Sequence, residues 1–119
     1  MRQHIIAGII AGIVFTLASC SSNKELPMYV WYGYENAAYN YTKIGTEESA
    51  ETLLGVYQQI VDGQSETKRQ VPPPGICADY GYMLIQAGKT EEGKEFLLKE
   101  KELYPESAKY IDGILRMVR

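Results

Sequence analysis

The sequence predicts an all-α fold, with two helical hairpins and a C-terminal capping helix following a signal segment. Three observations lead there. Apolar residues recur at three- and four-residue spacing in paired segments. The chain aligns with itself at an offset of 43 residues, and a triple proline separates the two halves. A length of 119 residues suits one small domain.

The first nineteen residues follow the order of a processing signal. Arg2 supplies the positive charge, and Ile5 to Ala18 form an uncharged apolar run. That run is shorter than the roughly 20 residues a spanning helix needs. Leu17-Ala18-Ser19-Cys20 resembles the bacterial lipobox, an aliphatic residue and two small ones before an obligatory cysteine. The resemblance implies lipidation of Cys20 by a diacylglyceryl group, cleavage between Ser19 and Cys20, and N-acylation, with palmitate as a typical chain. Two or more acyl chains hold a protein stably on a membrane. Ser21 after the cysteine fits sorting to the outer membrane. Residues 20–28 then read as a polar tether, and 29–119 as the domain.

Within that domain the elements follow in order. Hairpin one is expected over about 31–63. Its second helix, 47–62, carries Ala50, Leu53, Leu54, Tyr57, Ile60 and Val61 on one face. Thr46 is its expected N-cap, Glu47 and Glu48 suit the positive end, and Gly63 is a stop. Residues 64–75 are polar and then proline-rich, a linker that cannot be helical through Pro72-Pro73-Pro74. Hairpin two and the cap occupy about 76–118. Ala78 to Ala87 ends at Gly88, Thr90 is expected to cap the next helix to about Tyr104, and Ser107 to Val118 forms the last.

The 43-residue offset places Gly45 on Gly88, Tyr39 on Tyr82, Glu48 on Glu91 and Leu54 on Leu97. Ala38 then falls on Gly81 and Ala50 on Gly93. These positions resemble degenerate tetratricopeptide repeats, helix–turn–helix units of 34 residues. Gly81, Gly88, Gly93, Leu97 and Pro105 match the small, turn, small, large and proline positions of the second copy. Cys77, Tyr80 and Glu100 depart from the pattern.

Residues 29–41, YVWYGYENAAYNY, hold one Trp and five Tyr. A sugar-stacking platform, a membrane-interface belt and a helix-packing face are all compatible with such a run. Helical spacing assigns Tyr34, Ala37, Ala38 and Tyr41 to a packing face. Tyr29, Trp31 and Tyr32 precede the helix and form the candidate partner or ligand surface. Of these, Trp31 is expected to pack as a lid on the first hairpin, mostly hidden.

Maturation narrows the chemistry. It removes Arg2, one of twelve basic side chains, and leaves all fifteen acidic ones, a net charge near −4 that lacks the basic footprint of a nucleic-acid binder. The lone histidine, His4, leaves with the signal, so no Ser-His-Asp or Cys-His arrangement can be built and zinc loses its usual nitrogen ligand. Cys77 reads as a buried thiol. Glu91-Glu92 and Glu100-Glu102, set among lysines, read as solvated helix surface. No catalytic residue, metal site or cofactor beyond the lipid on Cys20 is expected.

The lipobox, MYVWYGYE, VPPPG, ADYGYMLIQAGK and LLKEKELYPESAKYID resemble, as a set, a family of small bacterial lipoproteins classed as domain of unknown function 4810. That resemblance implies the bacterial envelope and a partner like the curli secretion channel, itself a lipoprotein. The expected function is a non-catalytic, protein-binding accessory subunit on the outer membrane. The alternative is a carbohydrate-binding envelope lipoprotein that uses Trp31 and its neighbouring tyrosines.

Overall fold

A computed structural model describes residues 23–118, and its regular structure over that range is entirely helical. The lipobox residues Leu17, Ala18, Ser19 and Cys20 lie outside the described residues. Helices α1 (Tyr34–Ile44) and α2 (Glu47–Asp62) form one hairpin, and α3 (Ile76–Gln86) and α4 (Thr90–Leu103) form a second. A 3₁₀ turn, Pro105–Ser107, leads into α5 (Ala108–Met117). In this order α2 packs on α3, and α5 packs on α4.

Local chemistry accounts for the turns. Gly45 (φ +64°) and Gly88 (φ +87°) both take the left-handed conformation that lets a helix end and the chain reverse. Thr46 caps α2 as expected, its hydroxyl accepting the Ser49 N–H at 3.2 Å. Thr90 does not cap α4. It is the first helical residue, and Lys89 stands at the cap without a side-chain bond. The last helix likewise starts at Ala108, because Pro105 first winds a 3₁₀ turn.

Two core clusters follow from the packing. Ile60, Tyr57, Leu53, Cys77, Tyr80 and Leu84 fill the space among α1, α2 and α3. Ala78, Leu97, Ile111 and Ile114 join α3, α4 and α5. Inside the second hairpin Gly81 meets Gly93, and a Cβ on Gly81 would stand 2.5 Å from the Gly93 carbonyl oxygen. The reverse approach is closer still, so only glycine fits either side. Ala50, 43 residues before Gly93, is not equally tight: it is half-buried and borders an open hollow.

Two expectations gain detail and one, for Glu100, needs correction. The segment 64–75 is a packed part of the fold, with Pro72, Pro73, Thr67 and Gln64 buried. Thr67 organises it by donating to the Gln64 carbonyl (2.7 Å) and accepting the Gln70 N–H (3.0 Å), and Tyr104 donates its hydroxyl to the Pro72 carbonyl at 2.6 Å. Glu100 is not on the wet surface but only 3% exposed. The start of α3 has no cap of its own, so Glu100 Oε1 accepts the Gly75 N–H at 2.7 Å and places a carboxylate at the positive end of that helix. Finally, Tyr34 and Tyr41 lie on the packing face of α1 as expected and are half-buried there.

The N-terminal segment does dock, though not as a lid that hides its tryptophan. Gln64, 2% exposed, donates to the Val30 carbonyl (2.8 Å) and accepts the Val30 N–H (3.1 Å). The Lys68 N–H donates to the Pro27 carbonyl at 2.9 Å. Tyr32 donates its hydroxyl to the Gly63 carbonyl at 3.0 Å, and its ring fills the space a Gly63 side chain would need. The bonds at Pro27 and Val30 engage backbone, Tyr32 is held through its side chain, and Leu26, Met28 and Trp31 are left outward. Trp31 accordingly stays 43% exposed.

Candidate functional site

A trough runs along the α1 and α3 side of the molecule. Its walls follow from helical periodicity: Tyr34, Ala38 and Tyr41 stand at i, i+4 and i+7 on α1, while Asp79, Tyr82, Met83 and Gln86 stand at i, i+3, i+4 and i+7 on α3. This hollow of about 410 Å³ shares Tyr41, Met83 and Gln86 with a neighbouring one of about 580 Å³, which extends to Glu47, Glu51 and Lys89. Phenol hydroxyls, an amide and a thioether thus line one continuous surface. Tyrosine and methionine are residue types that protein-binding surfaces favour, and methionine adapts its shape to what it meets.

Electrostatics distinguish the trough from its floor. The Asp79 carboxyl is raised above its usual range by desolvation against the wall and, next, by the Glu100 charge. On the floor, burial pushes the Tyr57 phenol far above its ordinary value, with Asp79 adding to the effect. Burial likewise pushes the Cys77 thiol up to about 11, so this fully enclosed cysteine stays protonated at neutral pH. Burial also raises Tyr104 to about 12, in keeping with its structural bond to Pro72.

The sequence-selected residues Tyr29, Trp31 and Tyr32 do not line this trough. Trp31 borders a separate open hollow with Gly33, Tyr34 and Glu35, and Tyr34 stands between the two. The rings nonetheless form one continuous run. Tyr29, Trp31, Tyr34, Tyr57, Tyr80 and Phe96 follow one another with centroids 6.1, 5.8, 5.7, 6.1 and 4.5 Å apart. These are distances at which aromatic pairs attract. The run crosses every layer from the N-terminal segment to α4, so Tyr29, Trp31 and Tyr34, three of the six rings in residues 29–41, are the outer end of a stack that continues into the core.

Sequence reasoning passed over the α3 wall. Its signal was present: Asp79, Tyr82, Met83 and Gln86 form a second helical stripe beside the core stripe of Cys77, Tyr80 and Leu84. Among the described residues no group of three or more His, Cys, Asp or Glu side chains is placed to hold a metal ion. No described helix is long and apolar enough to cross a membrane.

Neither the curated proteins nor the solved structures include one that matches this chain. A family model does match, over residues 28–114, described as a domain of unknown function, DUF4810. The matched span runs from just before the aromatic stretch, through both hairpins, to the buried Ile114 of α5. Covering most of the chain, it establishes that this protein belongs to the DUF4810 family.

Proposed function

We propose that this protein is a tetratricopeptide-like envelope lipoprotein, anchored through Cys20, that binds a protein partner and carries no catalytic activity. The observation that carries the reading is the trough shared by α1 and α3, with Tyr41, Met83 and Gln86 at its centre. Stacked helical hairpins present such a side to an extended peptide or a partner helix. The leader with its Leu17-Ala18-Ser19-Cys20 motif supports the anchor, and Ser21 supports the outer membrane. Resemblance to lipoproteins encoded beside a curli-channel-like protein makes such a channel the expected partner.

The test combines anchor and trough. Cys20→Ala is expected to abolish metabolic acyl labelling. Tagged, lipidated protein solubilised from membranes is expected to retain a curli-channel-like lipoprotein, and Tyr82→Glu with Gln86→Ala, at exposed trough positions, is expected to release it while leaving the melting temperature nearly unchanged. Retention unaffected by those two substitutions refutes the trough as the binding surface.

A second reading has one observation in its favour. Trp31 and Tyr32 are 43% and 41% exposed, as a carbohydrate-stacking surface requires. Against it, the rings of Tyr29 and Tyr34 stand at 73° and 38° to that of Trp31, so the three form no flat platform.

A further inference from the structure

Residues 26–32 expose more apolar surface than the fold needs. Leu26 is 49% exposed, Met28 53%, Trp31 43% and Tyr32 41%, four large apolar side chains within seven positions. They do not belong to a loose tail. Gln64 clamps the Val30 backbone from both sides and the Lys68 N–H holds the Pro27 carbonyl, so the segment is fixed by its main chain with Leu26, Met28 and Trp31 left outside, while Tyr32 is tied by its hydroxyl to Gly63. A fold that fixes apolar groups outward by hydrogen bonds to their backbone presents them to something.

Chain length says what that is. Leu26 lies six residues after Cys20, and at about 3.3–3.6 Å per residue even a fully extended chain places it within roughly 20 Å of the lipidated cysteine. We propose that this segment rests on the bilayer holding the Cys20 lipid, with Leu26, Met28 and Trp31 in the headgroup region. The inference depends on the lipid anchor of the proposed function and adds an orientation to it. Trp and Tyr suit that depth because an apolar ring and a polar N–H or O–H meet different surroundings there. Of the nearby carboxylates, Glu25 is paired with Lys68 at 3.2 Å, and Glu35 beside Trp31 is exposed and can stay hydrated in the headgroup layer. Lys24, beside the pair and exposed, can meet a lipid phosphate. The lipid chains supply the attachment, and the apolar segment supplies a fixed pose in which the trough between α1 and α3 keeps one orientation to the membrane.

Trp31 is the only tryptophan, so its emission reads the pose directly. The full lipidated protein is reconstituted in phosphatidylethanolamine–phosphatidylcholine vesicles carrying a nitroxide either near the headgroup or near the bilayer centre. The expected result is blue-shifted emission, poor iodide quenching, and several-fold stronger quenching by the shallow nitroxide than by the deep one. Leu26→Asp with Met28→Asp, at exposed positions, is expected to restore iodide quenching while vesicle flotation and melting temperature stay unchanged. If the intact mass shows the acyl chains and the protein floats, yet Trp31 is as open to iodide as in the double variant, the bilayer-facing pose is wrong and the anchor stands. If no acyl mass is found and the protein does not float, the anchor fails and the pose falls with it. A Trp31 that remains water-accessible on vesicles but shifts to the blue with soluble glycans, or with rising protein concentration, assigns the surface to carbohydrate or to a second copy instead.

Discussion

Glu100 on α4 accepts the N–H of Gly75 at 2.7 Å, a carboxylate capping the start of a helix 25 residues away in sequence. The other carboxylate oxygen, Oε2, is enclosed and has no hydrogen-bond partner among the described residues. The bond joins the two helices of the second hairpin at the end opposite their turn, where the preceding prolines provide no side-chain cap.

Replacing Glu100 by Ala strands a partly buried N–H and leaves a cavity. We expect a loss of about 1–3 kcal/mol, read by chemical denaturation. Glu100→Gln keeps an acceptor at the same place and is expected to retain most of that stability. An equal loss in both variants would show that the charge at the helix end matters more than the hydrogen bond.

The Gly81–Gly93 contact makes a paired prediction. Gly93→Ala drives a Cβ into the Gly81 carbonyl and the Ile85 side chain and should cost about 1–3 kcal/mol or more. Gly55 lies inside α2 with open space around it, so Gly55→Ala should stabilise by about 0.5–1 kcal/mol. Thermal melts of the two variants should move in opposite directions.

Gln64 supports a third. Gln64→Ala removes both bonds to Val30 and a donation to the Ile60 carbonyl at 2.8 Å. We expect faster hydrogen exchange at the Val30 amide and a cost of about 1–3 kcal/mol. Unchanged exchange at Val30 would mean that the segment is held by its side chains rather than its backbone.

Asp79 gives a pH dependence. Its folded pKa is raised above the unfolded value of 3.8, so between the two values the folded state binds the extra proton. Its contribution to stability therefore grows as pH falls through the folded pKa and is lost as pH rises through that window. Asp79→Asn should be more stable than wild type at neutral pH, with the difference shrinking toward pH 4. In Glu100→Gln the Asp79 titration, followed by NMR, should move back toward its ordinary value.

What the sequence disclosed divides along chain distance. Thr46, Gly45 and Gly88 act on residues within one turn of themselves, and their roles were legible from spacing. The all-α class followed from the same local signals. Glu100, Gln64 and Thr67 were not legible, because a polar residue beside lysines or in a polar run looks solvated until a distant backbone claims it. Glu100 acts across 25 residues and Gln64 across 34. Tyr34 and Tyr41 were assigned to the packing face correctly, but their half-burial was not legible, since periodicity tells which way a side chain points and not what stands opposite. The trough escaped notice for the same reason: its two walls are stripes on separate helices, joined only by the packing of the hairpins.

The run of rings from Tyr29 to Phe96 also makes the molecule a light-harvesting wire in miniature. Excitation absorbed by Tyr57 or Tyr34 has a neighbour 5.7–5.8 Å away at each step toward Trp31, and the indole is the lower-energy acceptor. Light tuned to tyrosine should therefore emerge from the folded protein chiefly as tryptophan emission. On unfolding, separate tyrosine emission should appear as the relay breaks, giving an intrinsic optical gauge of whether the N-terminal segment and both hairpins are assembled together.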